Sequence, residues 1–304
     1  MPIIRIATRP SKLALAQASI VVKKLTELNC DITSKIVVIK TTADIKAEQP
    51  INTIGGKGIF IKELEQALLA KQADIAVHSI KDMPSQLAQP FIMPAVLPRV
   101  AAHDVLISNN NLTFSELTPN MVVGTSSLRR TCQLQILRPD LTYKAIRGNV
   151  DTRIKKLASG YDAIILACAG IARLGLEQYI SDNFSLKDMI PSAGQGAIGI
   201  ECLNDNSPII ALISKLNHPP SAASITAERS AMLHLGGHCM APIAAYASCK
   251  ENDITLTAMV ANKDSSRVIR AANTAHTSHS AKLGEDIAKN LISQGALDLI
   301  NTAI

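Results

Sequence analysis

Two short segments of this chain combine residue types that together could do chemistry: Gly124-Thr125-Ser126-Ser127-Leu128-Arg129-Arg130 and Arg147-Gly148-Asn149-Val150-Asp151-Thr152-Arg153. Each follows an apolar run, Met121–Val123 or Tyr143–Ile146, and each leads into helical periodicity, over Leu128–Leu137 and Val150–Leu157. In a strand–turn–helix unit the first backbone N–H groups of the helix are unpaired and point at whatever sits off the strand's carboxyl end. The hydroxyls of Thr125, Ser126 and Ser127 add donors there. Arg129, Arg130, Arg147 and Arg153 add guanidinium forks that match a carboxylate or phosphate with two parallel bonds. Residues 121–160 carry eight Lys/Arg against two Asp. The pattern predicts an anion cradle; the plain alternative is that these arginines lie on solvated helix faces.

Two further groups stand out. Cys239 follows Gly236-Gly237-His238 in a turn between a helix and a strand, where a thiol near a basic site would have a lowered pKa and nucleophilic character. Taken alone, a cysteine is as readily a small buried hydrophobe. His234 and His238 raise a Cys–His dyad or a metal site as rivals, but no further Cys/His pair lies nearby to complete a ligand set. Asp82, beside Lys81 at the end of an apolar run, is a candidate acid/base, against the commoner fate of a surface ion pair.

The composition narrows the ligand. Net charge is +6 with 47% hydrophobic and 18% charged residues, an ordinary globular balance that favours acidic partners. Trp is absent, aromatics are 3% and no basic run exceeds two residues, so platforms for stacking nucleic-acid bases are scarce. A small polyanion fits better than nucleic acid. The apolar run Ala163–Ala172 is too short to span a membrane. Residues 1–26 hold five Lys/Arg and no acid, superficially like a transit peptide, but Ile3–Ala7 reads as a buried strand and Ser11 as a helix cap. Six cysteines without a CxxC pair or framework spacing predict reduced thiols in a cytoplasmic chain.

These groups need elements to position them. Ile3–Ala7, Lys35–Lys40 and Asp74–His78 read as strands, with helices over Lys12–Leu28 and Lys62–Lys71 between them. That order predicts a parallel sheet whose ligands sit at the carboxyl strand ends, where Arg9, Ser11, Lys81 and Asp82 fall. Residues 42–58 lose periodicity and end in Gly55-Gly56-Lys57-Gly58, a loop long enough to be functional. Pro90, Pro94 and Pro98 punctuate a crossing segment to a second α/β unit, which includes a strand at Asp162–Ala167 and Arg173 after another strand end. Pro191–Gly196 then returns to an apolar strand, Ala197–Glu201. The tail reads as a helix (Ser221–Leu235), three strands (Ile243–Ser248, Ile254–Val260, Val268–Ala275) and a last helix (Ala281–Ile300). The expected fold is α/β: two lobes resembling periplasmic binding proteins with a cleft between them, plus a small C-terminal α+β domain. The division expected is 1–98 with 197–216, 99–196, and 217–304.

Six blocks carry a resemblance: Ile6–Leu15, Gly55–Leu64, His78–Pro84, Gly124–Arg130, Arg147–Arg153 and Pro191–Gly196. In order, and over nearly the whole chain, they look like the signature blocks of the porphobilinogen deaminase (hydroxymethylbilane synthase) family. The resemblance implies a transferase of tetrapyrrole biosynthesis that joins four porphobilinogens head to tail, releasing ammonia each time, and frees the product by hydrolysis. Each pyrrole bears an acetate and a propionate, which an arginine cradle suits. The family's dipyrromethane cofactor would hang from Cys239 by a thioether, and Asp82 would be catalytic. By the same match Lys81, Thr125, Ser126, Ser127, Arg129, Arg130 and Arg153 would bind cofactor. Arg9, Ser11, Arg147 and Arg173 would bind substrate, and Lys57 would lie in a mobile loop. A cytoplasmic monomer with no metal, nucleic-acid or membrane partner is implied. Two positions depart from the family's usual pattern: His238 stands directly before Cys239, and Ala43-Asp44 stands where members often have Gly-Asp. The competing class is a non-catalytic bilobal binding protein for a small polycarboxylate.

Overall fold

The computed structural model describes residues 3–45, 60–236 and 242–301. Lys57, His238 and Cys239 therefore lie outside the described residues. By compactness the chain forms two units, Met1–Val100 with Ala197–Ala222, and Ala101–Gly196 with Ala223–Ile304.

The first unit is a five-stranded sheet with helices on both faces. β1 (Ile3–Thr8) leads into α1 (Lys12–Leu28), and β2 (Thr33–Val38) returns parallel to β1. A four-residue α2 (Thr42–Ile45) follows, then α3 (Lys62–Leu69), and β3 (Ile75–Ser79) pairs parallel on the other side of β1. β4 (Phe91–Val96) leaves for the second unit. The strand numbered tenth in the chain, β10 (Ile198–Leu203), comes back to sit antiparallel between β3 and β4, giving the order β2-β1-β3-β10-β4. Buried apolar positions on α1, Ala18, Val21 and Leu25, recur at helical spacing and pack with Ile4, Ile6, Ile75, Ile198 and Ile200. α7 (Ser207–Ile213, the seventh helix) joins that face, while Leu64 and Leu68 of α3 cover Ala7 and Ala76 on the other. Apolar burial on both faces is what lets these strands read as continuous hydrophobic runs.

The second unit repeats the arrangement. β5 (Asp104–Ser108), β6 (Val122–Gly124), β7 (Thr142–Lys144), β8 (Ala163–Ala167) and the two-residue β9 (Asp182–Asn183) form the order β7-β6-β8-β5-β9. β6 is parallel to β7 and β8, and β5 is antiparallel to β8 and β9. α4 (Leu128–Leu137) covers one face through Leu134; α5 (Val150–Lys155) and α6 (Cys168–Arg173) cover the other through Ile154 and Ile171. The same unit includes α8 (Pro219–His234) and an antiparallel sheet of β11 (Ile243–Lys250), β12 (Asp253–Ala261) and β13 (Val268–His276). Ala227 and Ala231 of α8 pack on this sheet with Leu283, Ile287 and Leu291 of α9 (Ser280–Ser293). A Cβ at Gly284 would lie 2.3 Å from the Ala227 carbonyl oxygen, so the two helices meet at a distance that excludes any side chain there. Among the described residues no helix is long and apolar enough to cross a membrane.

The structure departs from the sequence expectations at three elements. The Pro-punctuated crossing segment contains β4, and Pro94 is tolerated because β4 is an edge strand that needs ladder bonds on one side only. The terminal helix is two helices, α9 and α10 (Ala296–Asn301), broken at Gly295 with φ 95°, in the left-handed region. The aperiodic stretch after residue 41 begins with α2, whose first turn is capped by the Thr41 hydroxyl accepting the Asp44 N–H at 3.2 Å.

Candidate functional site: two cationic sheet edges

In the first unit β1 and β3 are parallel neighbours, so the residues following each emerge at one edge of the sheet. After β1 come Arg9 and Ser11. Ser11 caps α1, its Oγ accepting the Ala14 N–H at 3.2 Å. Arg9 donates from Nε and Nη2 to Asp44 at 3.2 and 2.5 Å, and its guanidinium carbon lies 4.6 Å from the centroid of the Phe60 ring. Asp44 also accepts the Thr41 N–H and hydroxyl at 3.1 and 2.8 Å. Burial pushes the Asp44 carboxyl up, but the Arg9 and Thr41 bonds outweigh it and hold the group below its ordinary range. After β3 comes one 3-10 turn, Ile80–Asp82, which places half-buried Lys81 and Asp82. The Asp82 carboxylate has no hydrogen-bond or ion-pair partner among the described residues, so its oxygens are available to a ligand.

In the second unit β6, β7 and β8 are parallel, and their carboxyl ends carry the Thr125–Arg130, Arg147–Arg153 and Cys168–Arg173 segments. Ser127 caps α4, accepting the Arg130 N–H at 3.4 Å; Thr125 Oγ1 accepts the Ser127 N–H at 3.2 Å, and the Ser126 hydroxyl donates to the Ile146 carbonyl at 2.7 Å. Arg153 Nε donates to the Gly148 carbonyl at 2.7 Å. Gly148 has φ 110°, and a Cβ there would meet Thr152 at 2.7 Å, so the Arg147-Gly148 turn requires glycine.

Arg129 and Arg130 are neither solvated nor held out on an open edge. They are 5% and 7% exposed and share the fully buried carboxylate of Asp104, at the start of β5. Arg130 donates from Nε and Nη2 to Asp104 Oδ1 at 3.1 and 2.7 Å, and from Nη1 to the Ile165 carbonyl at 2.9 Å. Arg129 Nη1 donates to the Ile190 carbonyl at 2.9 Å and lies 2.8 Å from Asp104 Oδ2, a charge contact more than an aimed hydrogen bond. Burial would raise the Asp104 carboxyl, but the two guanidinium charges overcome it and hold the group well below the carboxylate range.

The glycine-rich segment ties this cluster together. Gly194 N–H donates to Glu228 on α8 at 2.7 Å. Gln195 Nε2 donates to Asp104 Oδ1 at 2.9 Å and to the Ala102 carbonyl at 2.6 Å. The Gly196 carbonyl accepts from Arg173 Nη2 at 2.7 Å. Arg173 has no carboxylate partner among the described residues, and burial alone pushes its pKa down to about 10. The Nε atoms of Arg129 and Arg173 are buried without a hydrogen-bond partner among the described residues. Among the described residues, the three guanidinium groups of Arg129, Arg130 and Arg173 stand against the two buried carboxylates of Asp104 and Glu228, a surplus of one desolvated positive charge. An anionic ligand would complete it.

Fold and site define an α/β protein with two five-stranded lobes, each carrying cationic side chains in the segments that follow its parallel strands, Arg9 and Lys81 in the first and five arginines in the second, and with a third, three-stranded sheet. The sequence comparisons give the family. The profile described as "Porphobilinogen deaminase, dipyromethane cofactor binding domain" matches residues 4–211, and "Porphobilinogen deaminase, C-terminal domain" matches residues 222–293. A curated porphobilinogen deaminase from Chromobacterium violaceum is 44% identical over 97% of this chain and 96% of its own length. The chain belongs to the porphobilinogen deaminase family. Among solved structures, a double mutant of the VFT2 domain of Bordetella pertussis BvgS gives a TM-score of 0.42 at 12% identity, covering 71% of this chain and 86% of that one. The substrate binding protein of an amino acid ABC transporter gives 0.35 at 13% identity, covering 71% and 91%.

The residues present fit a carboxylated cofactor, since the unpaired buried Nε atoms and the surplus charge of the Arg129–Arg130–Asp104 cluster suit carboxylate side chains. Asp104 and Glu228 are functional neighbours that the sequence does not mark, and Gln195 is marked only as part of the Pro191–Gly196 block. An acid opening a buried strand, or a lone Glu on a helix, carries no local signal; their roles exist only through contacts with residues distant in the chain.

Proposed function

We propose that the chain condenses four porphobilinogens head to tail with loss of ammonia and releases hydroxymethylbilane by hydrolysis, a transferase reaction of tetrapyrrole biosynthesis. The observation that carries this reading is the surplus of buried guanidinium charge in a chain of this family. Membership does not favour the alternative of a non-catalytic binding protein. Bound through a thioether to Cys239, the dipyrromethane would supply the pyrrole end on which the chain is extended.

Every other role falls to side chains of the protein. Lys81, Thr125, Ser126, Ser127, Arg129, Arg130 and Arg153 hold cofactor carboxylates; Arg9, Ser11, Arg147 and Arg173 hold those of porphobilinogen. Arg129 and Arg130 enter this scheme already oriented by Asp104, so a ligand carboxylate meets donors that need not reorganise. Arg9 is likewise held in place, by Asp44 and the Phe60 ring. Asp82, whose oxygens have no competing partner among the described residues, stabilises positive charge on a pyrrole nitrogen as ammonia leaves. Lys57 belongs to a covering loop. The reading includes a cytoplasmic monomer divided at 1–98 with 197–216, 99–196 and 217–304.

Intact mass and peptide mapping test the cofactor, and a product assay tests the reaction. The native protein is expected to be heavier than its sequence by two linked pyrrole units, on the peptide containing Cys239. Unmodified mass in an active preparation refutes the covalent attachment, and an adduct on Cys202 or Cys249 refutes the assignment alone.

A further inference from the structure

The second unit has a cavity of about 340 Å³ away from the parallel-strand edges. Its floor is the face of the β11–β12–β13 sheet opposite the helices. Along β11 and β12, Tyr246 pairs with Thr257 and Ser248 with Thr255, placing four hydroxyl-bearing side chains on one face. The adjoining part of that face is closed, because Ala244, Met259 and Ala261 pack on Cys132 and Ile190. The chain segment that ends at Ile190 overhangs the open part and contributes Leu186 and Lys187, while Arg270 on β13 stands at the other side.

An open sheet face with hydroxyls is ordinarily just solvated. Two observations set this one apart. It is concave, at the lower end of the roughly 300–1,000 Å³ typical of small-molecule sites. Among the described residues, both cations in its lining, Lys187 and Arg270, lack an ion pair, and no carboxylate lines the cavity. From this geometry and charge we infer that the cavity is a second anion site, for a small organic acid with two or more carboxylates. The cations come from separate elements across a hydroxyl floor, an arrangement for two spaced anionic groups joined by a hydrogen-bonding body. A single phosphate calls instead for donors converging on one point. This goes beyond the proposed reaction and stands whether or not that reading holds, since no residue of the cavity belongs to the cationic sheet edges.

Citrate is the probe, with inorganic phosphate for comparison, on the full chain as purified. Hydrogen exchange read by mass spectrometry locates binding without any variant: citrate is expected to protect peptides covering 186–190 and 246–257. Lys187→Glu and Arg270→Glu, both at exposed positions, should each weaken citrate binding about tenfold in calorimetry. Protection confined to 125–130 and 147–153, undiminished affinity in both variants, or phosphate binding as tightly as citrate would each overturn the inference.

Discussion

Replacing Asp104 by Asn tests the physical account of the arginine cluster most directly. The substitution keeps the side chain's shape but removes the negative charge shared by two guanidinium groups that are 5% and 7% exposed. Removing one partner of a buried pair typically costs about 3–5 kcal/mol, because the remaining charge stays desolvated. Asn retains a hydrogen-bonding oxygen for Arg130 and Gln195, so the lower end, about 3 kcal/mol, is the expectation. For a unit of this size roughly 2–4 °C of melting temperature accompanies each kcal/mol, giving a fall on the order of 6–12 °C. Far-UV circular dichroism is the assay, since the chain has no Trp to report by fluorescence. The pH dependence adds a second reading. Asp104 is depressed in the folded chain, so its contribution is fully present above the ordinary carboxyl pKa of about 4 and is lost as pH falls through the lower folded value. The gap between parent and variant should hold constant from pH 8 to 5 and narrow only below about 4. A variant melting within 2 °C of the parent from pH 5 to 8 would refute the claim that Asp104 compensates buried charge.

Other perturbations separate binding from stability. Asp82→Asn should fold, retain cofactor by mass, and lose turnover by about 10²-fold or more; turnover within a few-fold of the parent would leave Asp82 without a catalytic role. Arg173→Met removes a desolvated cation that has no carboxylate partner among the described residues, so melting should be unchanged or slightly raised while KM for porphobilinogen rises. A drop in melting temperature with KM unchanged would count against that reading. Gly284→Ala places a methyl against the Ala227 carbonyl and should destabilise by about 1–3 kcal/mol in denaturant titration; a neutral result would mean that α8 and α9 can part freely.

Much of the frame is legible in residue pattern because it rests on local signals. Ser11 before an apolar-periodic run marks the start of α1, and Ser127 marks α4 in the same way. β3 and β8 are short apolar runs buried on both faces, which a continuous apolar run in the sequence marks. What the pattern hides is long-range. β4 carries a proline that reads as loop until its place at the sheet edge is known. The resemblance puts Arg129 and Arg130 among ligand-binding groups, but nothing local says that both are buried on Asp104, 25 and 26 residues earlier in the chain. Arg9 behaves similarly: its partner Asp44 lies 35 residues away, inside a helix too short to show a period.

The strand order of the first lobe has a consequence for how the chain is made. β10 lies between β3 and β4, yet it is synthesised only after every strand of the second lobe, residues 104–183. The second lobe's sheet draws on no later strand and can close as it emerges. The first must wait with the facing edges of β3 and β4 unpaired, two templates for any extended segment that comes near. During that interval the nascent first lobe is the part of the molecule most open to mispairing and to chaperones. Slowing translation between residues 100 and 198 should lengthen the exposure, and a stall placed so that β9 has cleared the exit tunnel while β10 is still inside it should capture a folded second lobe behind an unfinished first.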